Sequence, residues 1–200
     1  MINNSTSRRT LRSTVAGAAT AVALVAAAGG LTSAYGGSGN PRSAAMSAPP
    51  GRAALRLSTS SPELAKCFPH ARARVAVDLT TDAVGKDTFS IRAAGLRRHT
   101  TFTVFLLEQA TAPFGAAEYI GDFTTNGKGR GQNTYQLIVE EAFAFNNRTG
   151  SRTDLNSVGF WFANPKADNK CLGSGSPVTG FDGDASAGVQ MMNSGTRQLP

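Results

Sequence analysis

The sequence predicts an all-β protein: an antiparallel β-sandwich of immunoglobulin-like or jelly-roll type with about seven strands. Three observations carry that expectation. Short runs rich in Val, Ile, Phe and Thr alternate apolar with polar residues from about position 72 onward. Clusters of Gly, Asn and Pro separate them. Helical periodicity is nearly absent, and only "PELAKC" has the makings of a single turn.

The first strand is "RVAVDLT", in which Val75, Val77 and Leu79 alternate with Arg74, Ala76, Asp78 and Thr80. "TFSIR" places Phe89 and Ile91 on one face and Ser90 and Arg92 on the other. "TFTVFLLE" supplies Phe102, Val104 and Leu106 at spacing two. "EYIGDFTT" and "NTYQLIVE" flank "NGKGRGQ", whose opening Asn-Gly predicts a hairpin between them. "NSVGFWFAN" is a buried strand carrying Val158, Phe160 and Phe162, and "GVQMMN" is a short last one.

Ahead of the strands lies an export leader. "MINNSTSRRTLRST" is basic, "VAGAATAVALVAAAGGL" is apolar, and "TSA" offers small residues for cleavage near Ala34. Arg8-Arg9 also fits a twin-arginine signal, although Arg12 stands where a second apolar residue is usual, so both export routes remain open. The apolar run is mostly Ala and Gly, which favours a cleaved signal over a permanent anchor. Residues 35–62 are rich in Gly, Ser, Ala and Pro and read as a disordered linker, leaving residues 63–200 as one domain. The mature form is expected to have no membrane segment.

The net charge of +7 exaggerates the basicity of that domain. Three arginines fall in the leader, and Arg42, Arg52 and Arg56 fall in the linker. From Glu63 onward 14 basic residues face 13 acidic ones, or +1. That balance gives no reason to expect nucleic acid. The two cysteines, Cys67 and Cys171, read as one disulfide in an exported chain. It would close a loop of roughly 105 residues, for which chain entropy gives about 4 to 5 kcal/mol. With two histidines and no further cysteine the alternative, a metal pair, lacks ligands. No cofactor is expected.

"PFGAAEYIGDFTTNGKGRG" and "VGFWFANPKADNKCLGSGSPVTGFDGDASAGVQMMNSG", behind an exported leader, resemble a family of secreted, uncharacterised actinobacterial β-sandwich proteins. The likeness rests on Pro-Phe-Gly, Tyr-x-Gly-Asp, the Trp-Phe strand, the late Cys and the terminal Phe-Asp-Gly. It covers most of residues 72–195. It implies compartment and fold, and it transfers no functional residue.

The candidate chemistries are few. Asp182, Asp184 and Ser186 match the first ligands of a calcium loop. However, Ala187 stands where such a loop needs Gly and Asn193 where it needs an acid, so a turn is the expectation. Glu140 and Glu141, if extended, point to opposite faces and do not converge. "NGKGRG" lacks the following helix of a phosphate loop and reads as a solubilised hairpin tip. His70 and His99 accompany no nucleophile signature; a hydrolase would have to assemble its set in space, for instance His99 with Asp122 or Glu118. The Asn147-Arg148-Thr149 sequon carries little weight in a chain of the bacterial origin that the resemblance implies.

One feature breaks the alternation. If Phe102, Val104, Leu106, Tyr135, Val139, Val158, Phe160 and Phe162 face the core, then Phe105, Leu107, Ile138 and Trp161 face outward. They form either an exposed binding patch or the floor of a covering loop, with "ATAPFGAA" or the Cys171 segment as the lid. The expected function is therefore a secreted, non-catalytic module that binds an extracellular or cell-surface ligand. A secreted hydrolase and a purely structural surface protein are the alternatives.

Overall fold

In a computed structural model of the chain, residues 51–182 and 185–200 are described, apart from the side chains of residues 181, 182 and 185. Twelve strands are present among them. They are β1 (Arg52–Thr59), β2 (Arg72–Asp78), β3 (Asp87–Ala94), β4 (Thr101–Leu107), β5 (Ala117–Thr124) and β6 (Gly131–Leu137), then β7 (Phe143–Asn146), β8 (Ser151–Asp154), β9 (Ser157–Phe162), β10 (Thr179–Asp182), β11 (Ala185–Ala187) and β12 (Gln190–Asn193). Among the described residues helix is confined to short turns, chiefly α1 (Pro62–Cys67), α2 (Thr81–Val84) and α3 (Asn169–Leu172). The protein is all-β and its strand pairings are antiparallel, with eight strands in the main sheet rather than about seven.

The order of that sheet is β5-β4-β9-β12-β1-β2-β3-β6, while β7-β8 and β10-β11 are separate two-stranded hairpins. β1 is the seam. Its residues from Arg52 to Leu57 pair with β2, and Ser58 and Thr59 pair with β12. Two four-stranded leaves result, β1-β2-β3-β6 and β5-β4-β9-β12. Val75, Val77, Phe89 and Ile91 from the first meet Phe102, Val104, Phe160 and Phe162 from the second in one buried core. Phe102 lies 5.4 Å, ring to ring, from both Phe123 and Phe160, the second contact edge-on.

β1 corrects the expected linker. Composition places residues 52–59 in a disordered segment, yet Leu55 and Leu57 alternate with polar residues and are buried in the core. Alternation over a few residues outweighed the surrounding Gly, Ser and Pro.

The expected hairpin of β5 and β6 is also corrected. The two strands lie at opposite ends of the sheet order, β5 on β4 and β6 on β3. The connection 125–130 is held instead by the β3–β4 connection. The Thr125 hydroxyl donates to the Arg97 carbonyl at 2.5 Å and accepts from the Thr100 N–H at 3.0 Å, and the Leu96 N–H donates to the Gly129 carbonyl at 3.2 Å. Both connections therefore cross between leaves side by side. β5 and β6 still touch, because Asn133 Nδ2 and the Tyr135 hydroxyl donate to the Asp122 carbonyl at 2.7 and 2.8 Å. Burial is the main cause that pushes the Tyr135 phenol up to about 12.

Cys67 and Cys171 form the expected disulfide, with Cα atoms 5.8 Å apart and a sequence separation of 104. It joins α1 to α3. α1 begins at Ser61, whose hydroxyl accepts the Leu64 N–H at 3.3 Å, and has Pro62 in its first turn; Leu64 is buried beneath it. At the other end of the leaves Asp87 is fully buried. Its carboxylate accepts the backbone N–H groups of Thr80, Thr81, Val139 and Glu140 at 2.6 to 3.2 Å. That chain reversal makes 138–142 a turn rather than an extended run, with Glu140 and Glu141 both exposed.

Candidate anion-binding site

The outward apolar side chains of β4 and β9 are not an open patch. Phe105, Leu107 and Trp161 are buried with Ala187 in a second cluster, and Trp161 is 0% exposed. The covering loop is the one containing "ATAPFGAA". Phe114 packs edge-on against the Trp161 ring at 5.1 Å, and Phe105 does so at 5.3 Å. Gln190 Nε2 holds the loop by donating to the Ala110 carbonyl at 2.9 Å, and Glu108 accepts the Ala116 N–H at 2.9 Å. Gly115, at φ +69°, passes so close to Glu108 that an added Cβ would lie 2.1 Å from the carboxylate. Ile138, the fourth residue of the expected patch, is 46% exposed and stands apart from this cluster. As a binding surface the patch is thereby overturned, because the covered face gains more from burial than an open one does.

The hydrolase arrangement does not assemble either. His99 is exposed, at φ +50°, and has no carboxylate partner among the described residues. Asp122 meets β6 through its backbone carbonyl. Asp184 and the side chain of Asp182 lie outside the described residues. Among those described, no group of three His, Cys, Asp or Glu side chains could hold a metal ion.

The outer face of the other leaf is open. Its register sets residues in rows across the strands. Arg52, Asp78, Thr88 and Gln136 form one row; Ala54, Ala76, Ser90 and Thr134 form the next; Arg56, Arg74, Arg92 and Gln132 form the third. The first two rows satisfy themselves. Arg52 pairs with Asp78 at 2.5 Å, Gln136 donates to Thr88 at 2.9 Å, and the Ser90 and Thr134 hydroxyls are 3.1 Å apart.

The third row does not. Arg56, Arg74 and Arg92 are exposed and directly opposite one another on adjacent strands, a spacing of about 4.8 Å per strand. None has an ion pair or a side-chain hydrogen bond among the described residues. Like charges placed so are destabilising. Arg72 extends the row on β2. Together they line a groove of about 530 Å³, whose far wall is Phe68, Pro69 and Ala65 of α1 and the turn after it. A guanidinium presents a planar fork of donors matched to carboxylate, phosphate or sulfate, so this arrangement is chemically suited to hold an anion.

Two signals of this site were present in the sequence, since Arg74 and Arg92 fall on the polar side of their strands. Register was not, and Arg56 lay in a segment assigned to linker. With Arg52 and Arg56 restored to the fold, residues 51–200 carry 16 basic against 13 acidic residues, or +3.

Compared with protein-family models, curated proteins and solved structures, the chain matches none. The disulfide is compatible with an extracellular protein. No helix among the described residues is long and apolar enough to cross a membrane.

Proposed function

We propose that this protein is an exported binding domain without catalysis of its own, and that it takes an anionic ligand outside the cell on the arginine row of β1, β2 and β3. The observation that carries the reading is the directly opposed Arg56, Arg74 and Arg92, none with an ion pair among the described residues, on the face where Arg52 pairs with Asp78. Three stacked cations cost stability in the free protein, and an anion between them removes that cost. The leader at 1–34 and the disulfide support the extracellular setting, and the resemblance to secreted actinobacterial proteins agrees with it.

The test is calorimetric titration of tripolyphosphate into the oxidised domain at low salt. Saturable binding is expected, weakened at least tenfold in R74Q/R92Q, since each charge-assisted hydrogen bond is worth about 1.5 to 3 kcal/mol. No saturable binding by the parent protein would sink this reading and favour a purely structural surface protein.

A further inference from the structure

The arginine row is one end of a longer basic track. Phe68, which walls the first groove, also lines a second of about 420 Å³ beside the disulfide, together with Arg97, Arg98 and Lys170. Arg97 and Arg98 in turn line a third groove with His99 and Lys166. The backbone explains the continuity. β3 runs outward from Arg92, and the next residues after it deliver Arg97 and Arg98 to the rim. The turn after α1 is seated on this segment so closely that a Cβ at Gly95 would lie 2.1 Å from the His70 carbonyl. The disulfide fixes α3, and so Lys170, against α1. Arg97 braces the third groove by donating to the Ala167 carbonyl.

Carboxylates do not cancel this track. Asp168 is buried and accepts from the Ser176 hydroxyl at 2.6 Å and the Val189 N–H at 3.0 Å. Glu63 lies in the first turn of α1. The turns at the opposite end of the leaves carry Asp82, Glu140 and Glu141 against Lys86, so those turns are acidic on balance. A single small anion can occupy only one of the three connected grooves.

We infer that the ligand is a linear phosphate-bearing polymer, lying from the arginine row past Phe68 to Arg98, Lys170 and Lys166. This rests on the arginine row being an anion site. The polymer is not read through bases, because Phe68 is half-buried and the large exposed aromatics, Tyr119, Phe143 and Phe145, line none of the three grooves. Recognition is of backbone charge alone.

The experiment compares tripolyphosphate with long-chain inorganic polyphosphate on the parent protein, R74Q/R92Q and R98Q/K170Q, with a thermal melt of each. Arg98 and Lys170 are exposed, and neither side chain makes a hydrogen bond or ion pair among the described residues, so the second variant keeps its fold. The expected result is that R98Q/K170Q binds tripolyphosphate as the parent does but loses at least tenfold on the long chain. The parent's long-chain affinity should fall with salt at a log–log slope of about −0.7 per phosphate neutralised, near −4 for six cations. Unchanged long-chain binding by R98Q/K170Q overturns the polymer track and leaves the arginine row standing. Failure of the parent to bind tripolyphosphate, with R74Q/R92Q indistinguishable from it on both probes, overturns the arginine row itself. Tighter binding to single-stranded DNA than to polyphosphate of equal charge at the same salt overturns the choice of polymer.

Discussion

Phe105 and Arg74 occupy comparable places, each pointing outward from an inner strand of its leaf, and their fates are opposite. Phe105 is covered by the 108–116 loop and packed against Trp161. Arg74 is exposed between two other arginines. The physics of covering explains the contrast. An apolar side chain gains about 25 cal/mol for each Å² removed from water, so a loop long enough to reach it stays down. A guanidinium covered by an apolar loop would lose its hydration for nothing in return. Only a partner bearing negative charge can close the second face. One outer face is covered by the chain itself, and the other stays open.

The largest effect that sharpens this contrast is on the covered side. Trp161→Ala removes the centre of the second cluster and should cost about 3 to 5 kcal/mol, read from the denaturant midpoint. In the parent, Trp161 should emit in the blue and resist acrylamide. Ready quenching would mean that the loop lifts and the two faces are less different than the burial implies.

A smaller effect separates the inside of the cationic leaf from its outside. Asp87 is as buried as Arg74 is exposed. Burial alone would raise its carboxyl, but the hydrogen bonds from Val139, Thr81, Thr80 and Glu140 outweigh that and hold it below the usual carboxylate range. Its stabilisation is thus fully present above about pH 4 and is lost as pH falls through the lowered folded-state value. Asp87→Asn should cost roughly 2 to 3 kcal/mol at neutral pH, and the gap to the parent should narrow below about pH 4. A gap that stays constant down to pH 2 would show that the charge does not matter there.

The smallest effect has the opposite sign. Arg74→Thr relieves repulsion in the row and should raise stability by about 0.2 to 1 kcal/mol at low salt. The gain should vanish near 1 M salt, where the screening length is about 3 Å. Destabilisation at low salt would mean that the guanidinium already has a partner, and the open face would lose its meaning.

Much of this contrast was half-visible in the sequence. The inward sides of β2, β3, β4 and β9 follow from alternation alone, because residue spacing in a strand fixes which side chains share a face. The outward apolar set was legible too, and so was its possible cover by "ATAPFGAA". What failed was whatever depends on partners distant in sequence. Asn-Gly after β5 gave a turn correctly and a hairpin wrongly, since Thr125 ties that turn to Arg97 and Thr100 instead. Arg56, Arg74 and Arg92 were three unrelated residues until the register aligned them. Composition also masked Leu55 and Leu57 within a Ser- and Ala-rich segment.

The position of the disulfide has a mechanical consequence. The loop that it closes contains β2 through β9, whereas β1 and β12 lie outside it on opposite sides of the bridge. Those two strands meet over only two registered pairs, Ser58 with Asn193 and Thr59 with Met192. A force applied to the two ends of the domain loads the six β1–β2 pairs and this short seam before it reaches the bridge. The bridge then bears the tension. The 104 positions that it spans, worth about 3.5 Å each when extended, add no length until a reductant cuts the bond. For a protein held at one end, the fold is a tether with a fixed maximum length.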